Sequence, residues 1–349
     1  MSGGIAQLVA IGQQDAHIVG NPEISFFRST FKRHTNFSQS VERQVIQGNV
    51  SANGMSSVRI ERKGDLLSYV YLQPVNSDGT QADASITDWT TVIDKVELLV
   101  GGQVIDTQDS TFTSLIAPKI LAQNLSKSRL GGLYEGGTAS GFYPLRFFFC
   151  ESWQNALPLV SLSYHDVELR ITWGASAASH KWECYANFAY VDTQEREFFA
   201  SQPQQIIIHQ VQKAVASGQK VQELNLNHPV KCLTSANVST LNILTATNKL
   251  KLQINGTDVA DYKWAHPNFS TVTSYYHTSH ADSDTPKGLF LYPFCLDVSK
   301  AQPTGSLNFS RLDSARIVND TALSSDNIYA INYNILKLEN GMGGLLYSN

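Results

Sequence analysis

Two segments of the chain carry the same short pattern: VELLVGGQVID at residues 96–106 and LKLQINGTDVAD at residues 250–261. Each is a run of alternating apolar residues, a Gly-Gly or Asn-Gly pair, and a second short run closing on aspartate. Two-residue hairpin turns need positive φ at both central positions, which Gly101-Gly102 and Asn255-Gly256 supply without strain. Val100 and Ile254 are equivalent, a shift of 154 residues. A second pair, PLRFFFCE from Pro144 and LYPFCLDV from Leu291, recurs at a similar shift, each reading as an apolar strand leading into a polar loop. A shared offset of this size predicts duplication of an all-β domain of about 150 residues. Two such sandwiches in tandem would each bury a core of their own.

The rest of the chain agrees with an all-β class. Val167, Leu169, Ile171 and Trp173 alternate with Glu168, Arg170 and Thr172, the period of a half-buried strand. Leu250, Leu252 and Ile254 alternate with Lys249, Lys251 and Gln253, and IYAINYNILKL at residues 328–338 is rich in β-branched and aromatic residues. Helical signals are few. Asn21-Pro22-Glu23 offers a cap, a first-turn proline and an acid, and DSTFTSLIAPKILAQ predicts a second short helix. In the helix from Asn21, Phe26, Phe27 and Phe31 would form an apolar face beneath the first sandwich. The boundary between the sandwiches is expected near Ser201–Gln205, a polar stretch containing proline.

Composition excludes several function classes. Of 349 residues, 42% are hydrophobic and 16% charged, a globular balance, and the net charge of −4 without any like-charge block argues against nucleic acid as a direct partner. Cys150, Cys184, Cys232 and Cys295 form no close pair, so metal and redox motifs are not expected, and four reduced, mostly buried thiols are. The N-terminus has neither the charged region nor the apolar run of a signal peptide, and no window approaches the roughly 20 apolar residues of a membrane span.

Chemical motifs are weak. His34 has no carboxylate or nucleophile near it in sequence, which favours a structural or interface role over catalysis. His165 and Asp166 are neighbours on a strand and point to opposite faces. His209, His228 and His266 lack metal-ligand spacing, and no cofactor is expected. GGLYEGG at residues 131–137 lacks the ending of a phosphate loop and is expected to be a flexible surface loop, and the GMGG run at residues 341–344 a mobile terminal segment. Eight N-x-[ST] sequons occur, at Asn36, Asn49, Asn124, Asn237, Asn255, Asn268, Asn308 and Asn319. Asn124 and Asn268 are candidate glycosylation positions. Trp89, Trp153 and Trp264 could face sugars, although packing is the commoner use of tryptophan.

Blocks along the whole chain then carry a resemblance. GGIAQLVAIGQQDAHIVGNPEISFFRSTFKRHTNFS, VELLVGGQVID, ALPLVSLSYHDVELRI, FAYVDTQEREFFA, LNLNHPVK, LQINGTD, PTGSLNFSRLDSARI and IYAINYNILKLENGMGGLLYSN are similar, in order, to the double jelly-roll major capsid proteins of nucleocytoplasmic large DNA viruses. The chain is shorter than most members, which implies trimmed surface loops, and residues 262–289 diverge. The resemblance implies two tandem eight-stranded jelly rolls behind an N-terminal arm containing a short helix, with limits at 1–25, 26–203 and 204–349. It also implies a homotrimer acting as a pseudo-hexameric capsomer, tiling an icosahedral shell around an internal membrane and genome. Partners would be other copies, neighbouring capsomers, minor capsid proteins and, peripherally, the membrane, with assembly in the host cytoplasm. Arg28, Lys32, Arg33 and His34 would then face the shell interior. A minor capsid paralogue of the same fold is the nearest alternative, and a cupin-like enzyme or a lectin the distant one.

Overall fold

The computed structural model describes residues 3–83, 85–86, 88–130, 141–237, 241–279 and 288–348. Contacts divide the chain into an arm, Met1–Asn36, and a body, Phe37–Asn349.

The arm holds two short helices, α1 (Gly3–Val9) and α2 (Ala16–Val19). The helix expected from Asn21 does not form. Asn21 is left-handed (φ 50°), and the proline after it disfavours the helical region at that position. Phe26, Phe27 and Phe31 are 89%, 97% and 86% exposed, so no buried face offsets the cost of nucleating a helix there.

The body contains two sandwiches built to one plan. In the first, β1 (Phe37–Gln44), β8 (Lys181–Val191), β3 (Leu66–Val75) and β6 (Tyr143–Pro144) lie side by side in that order. Facing them are β2 (Met55–Arg59), β7 (Val167–Trp173), β4 (Ile93–Val100) and β5 (Gln103–Asp109). In the second, the order is β9 (Gln204–Ala214), β16 (Ile328–Glu339), β11 (Pro229–Ala236) and β14 (Leu289–Pro293). The opposite sheet runs β10 (Val221–Glu223), β15 (Ala315–Asn319), β12 (Lys249–Ile254) and β13 (Thr257–Asp258). Adding eight to each strand of the first sandwich produces the second, the topology of a duplicated jelly roll. Among the described residues five further short strands extend these sheets: Ile46–Gln47, Leu157–Pro158, Lys263–Trp264, Leu307–Asn308 and Met342–Leu345.

Local sequence explains the elements. On β7 the apolar set is buried and the polar set between is half-buried. The β4–β5 and β12–β13 turns close at Val100↔Gln103 and Ile254↔Thr257, with φ of 58° and 82° at Gly101 and Gly102, and 48° and 78° at Asn255 and Gly256. Gly101 is doubly constrained, because a Cβ there would meet His165 Nδ1 at 2.3 Å. The recurring PLRFFFCE and LYPFCLDV segments fall at β6 and β14. Neither is a strand throughout: residues 291–293 close β14 before the chain leaves the sheet, whereas only Pro144 of the first is in a strand and Phe148–Glu151 forms a short helix. The GMGG run is no loose tail. Met342–Leu345 pairs with the end of β16, and a Cβ on Gly343 would meet Leu162 at 2.7 Å, so small residues are needed there for close packing.

The sandwiches share their cores. The helical segment predicted after β5 is present as Phe112–Ile116 and Ala117–Ile120. It packs Phe112, Leu115, Ile116 and Ile120 against Cys232, Leu291, Tyr329 and Ile331 of the second sandwich. Ile208, Leu336 and Leu338 of the second sandwich in turn complete the core of the first. Apolar burial of this kind contributes roughly 25 cal/mol per Å² removed from water, so the two jelly rolls hold together as one block.

Candidate assembly surface

Two places bear on how such a block could assemble: the seam between its sandwiches and its exposed surfaces. The seam has a polar layer beside its apolar one. Asp106, at 4% exposure, accepts Val211 N–H at 2.9 Å across the seam, Thr107 N–H at 2.9 Å and Gln108 Nε2 at 2.8 Å. Gln210 Nε2 donates to Ile105 O at 2.5 Å. Lys213 Nζ and Tyr329 OH converge on Asp109 Oδ2 at 2.9 and 2.6 Å. Ser299 Oγ donates to Ile120 O at 3.0 Å, and His165 Nδ1 lies 2.9 Å from Gly343 O.

Burial dominates the electrostatics here. It pushes the Asp106 carboxyl up to about 7, against the opposing pull of the Val211, Gln108 and Thr107 donors. It also pushes His209 down to about 3, assisted by the nearby Lys231 charge. Lys231, fully buried on β11, is lowered for the same reason and donates to Lys300 O at 3.0 Å. Next to this layer, Arg146 Nη1 pairs with Glu151 Oε1 at 3.3 Å, with both side chains at or below 10% exposure.

The residues singled out from sequence are scattered. Arg28, Lys32, Arg33 and His34 are exposed in an irregular stretch of the arm, with His34 Nδ1 2.7 Å from Thr35 O. His165 and Asp166 part ways, the first toward Gly343 and the second to Arg59 and Arg62 at 2.6 and 3.3 Å. His266 meets Ser270 Oγ at 2.8 Å, and His228 is buried. Asn124 Oδ1 accepts Lys127 N–H at 2.8 Å, and Asn268 Nδ2 donates to Trp264 O at 2.9 Å. Cys184, Cys232 and Cys295 are buried free thiols and Cys150 a partly buried one. The GGLYEGG segment lies outside the described residues. Among those described, no group of three or more His, Cys, Asp or Glu could hold a metal ion.

Sequence reasoning missed two features. The first is the seam network, whose partners lie from 104 to 220 residues apart. Its one local trace is the aspartate that ends VELLVGGQVID. The second is an aromatic cavity of about 750 Å³ on the outer side of β3, lined by Tyr69, Tyr71, Phe142, Phe149 and Trp153. Tyr69 meets Trp153 edge-on at 6.0 Å, and Tyr71 stacks on Tyr185 at 5.3 Å. Tyrosines at alternate positions of a strand were its available signal. Trp89 is core, whereas Trp153 and Trp264 are 63% and 49% exposed.

Comparison with known proteins agrees along the chain. Two family models match, "Major capsid protein N-terminus" over residues 25–181 and "Large eukaryotic DNA virus major capsid protein" over residues 234–344. The major capsid protein of Pyramimonas orientalis virus is 32% identical, and that of Paramecium bursaria Chlorella virus 1 is 29% identical, each alignment covering 100% of both chains. A chain of the PBCV-1 virus capsid quasi-atomic model superposes with a TM-score of 0.75 at 25% identity, over 93% of this chain and 100% of that one. The Faustovirus major capsid protein shares the fold, with a TM-score of 0.62 at 12% identity over 94% of each chain.

Proposed function

The chain belongs to the large eukaryotic DNA virus major capsid protein family, and from that premise we propose that it forms the outer shell of an icosahedral double-stranded DNA virus as a homotrimer. The observation that carries this is the repeated strand order in two sandwiches fused through a common core. Three such chains present six similar blocks, so a trimer imitates a hexamer and can tile a shell by reusing a few closed interfaces. The subunit acts without cofactor or catalytic step, and its partners are its own copies, neighbouring capsomers and minor capsid proteins. With a net charge of −4, it does not bind the genome directly. No helix among the described residues is long and apolar enough to cross a membrane, so contact with an internal membrane would be peripheral.

Size exclusion with light scattering tests the trimer. The expected mass is three times 38.5 kDa, and a monomer persisting at high concentration would remove the proposal. In the same framework Arg28, Lys32, Arg33 and His34 contact the shell interior. Lys32→Ala/Arg33→Ala is expected to leave the trimer mass unchanged while lowering the yield of assembled shells. Normal particle yield from that variant would sink the assigned role of the arm.

A further inference from the structure

The seam brings together two sheet edges. β5 ends the order β2–β7–β4–β5, and β9 begins the order β9–β16–β11–β14. Edge strands present unpaired N–H and C=O groups that a protein must cover. Among the described residues no ladder joins β5 to β9, and side chains take its place. Asp106 Oδ1 receives Val211 N–H from β9, and Gln210 Nε2 reaches Ile105 O on β5. The exchange is reciprocal, one side chain from each strand satisfying the backbone of the other. Around it the network is closed. Gln108 Nε2 bridges Asp106 Oδ2 and Arg146 O at 2.8 and 2.9 Å, and Gln210 Oε1 accepts Asn334 Nδ2 at 2.9 Å.

Among the described residues no cation pairs with this carboxyl. On β4, Glu97 is engaged by Lys95 at 2.8 Å and by Arg170 of β7 at 3.2 Å. Arg146 is paired with Glu151, and Lys213 on β9 with Asp109 on β5. His209 on β9 is held neutral by burial, and Tyr333 on β16, 5.1 Å from it ring to ring, is raised by burial and stays protonated. Three hydrogen bonds are therefore all that offset the cost of burying a carboxylate charge. A neutral acid keeps the essential contacts, with Oδ1 still accepting from Val211 and Thr107. The proton sits on Oδ2 and is accepted by Gln108 Oε1 once that amide turns over, which gives up the Gln108 Nε2 bond to Arg146 O.

We propose that Asp106 is a proton-operated latch between the two jelly rolls, closing the β5–β9 seam more firmly when protonated than when ionised. The closed seam holds the carboxyl near 7, while in an open seam it would return toward the ordinary 3.8. Between those values the closed state keeps a proton that the open state has released. Closing is thus favoured at the acid end, and this contribution fades as pH rises through about 7.

Native-state hydrogen exchange of the peptide containing Val211, corrected for intrinsic rates and followed from pH 5 to 8, reads the latch directly. The opening constant is expected to rise by up to about tenfold per pH unit below 7 and to level off above it. Asp106→Asn, which cannot ionise, should flatten the profile. Gln210→Ala, which removes the other half of the exchange, should raise opening at every pH and keep the slope. A flat or falling wild-type profile overturns the latch without any variant, and so does an Asp106→Asn slope equal to that of the wild type.

Discussion

Replacing Trp173 by alanine is expected to lower the stability of the folded chain by about 3–5 kcal/mol, read as a shift of the denaturant midpoint. Trp173 closes β7 with no exposed surface. Its ring lies 5.0 Å from that of Trp182, which lies 6.4 Å from that of Trp89, itself 5.3 Å from that of Tyr143. These four side chains pack together within the core of the first sandwich, so truncating one leaves a cavity that its neighbours, held by two sheets, can close only in part. The indole Nε1 also donates to Ser56 Oγ at 2.9 Å, and the truncation leaves that hydroxyl only its longer bond to Asn49 O at 3.5 Å. Trp264 makes the control. It is 49% exposed and holds Lys249 Nζ 4.4 Å from its ring centroid, so Trp264→Ala should cost about 0.5–1 kcal/mol. Equal losses at the two positions would mean that the aromatic cluster does not carry the first core.

The strands that could be read from sequence are those with one face buried and one not. β7 shows the burial alternation that its residues predict, because the inner face meets a core and the outer face does not. β16 was readable only through its composition. Ile328 and Ala330 enter the core of the second sandwich, Tyr329 and Ile331 pack on the helical segment after β5, and Leu336 and Leu338 enter the core of the first. With both faces covered, alternation disappears. Where sequence misled, a local rule lacked its non-local partner. Asn21-Pro22 has the grammar of a helix start, but Phe26, Phe27 and Phe31, which would follow, are exposed. The glycines at residues 341–344 suggested mobility, yet two of them are small because Tyr164 and Leu162 lie against them. Asp106 and Asp261 end the two copies of the hairpin pattern. One is buried against Val211, the other is exposed, and their place at the end of the pattern, one residue out of the 154-residue register, could not tell them apart.

The second large effect is expected at Arg146. Arg146→Met should cost about 3–5 kcal/mol, because it leaves the Glu151 carboxylate buried without its cation. The same site makes a sharper prediction as a cycle. Arg146 Nε and Glu151 Oε2 find no partner of their own, so the pair recovers only part of the desolvation that it suffers. The double replacement Arg146→Met/Glu151→Leu, which removes both charges, should therefore return stability to within about 1 kcal/mol of the wild type or above it. What the pair supplies is position. Arg146 Nη2 donates to Lys127 O at 3.2 Å, and Lys127 Nζ to Glu151 O at 2.6 Å. These bonds tie the helix Leu125–Leu130 to the short helix Phe148–Glu151 beside the seam. The double variant should accordingly melt like the wild type while the amides of 125–130 exchange faster. A double variant as unstable as Arg146→Met would mean that the ion pair itself, rather than the uncompensated carboxylate, is the source of the loss.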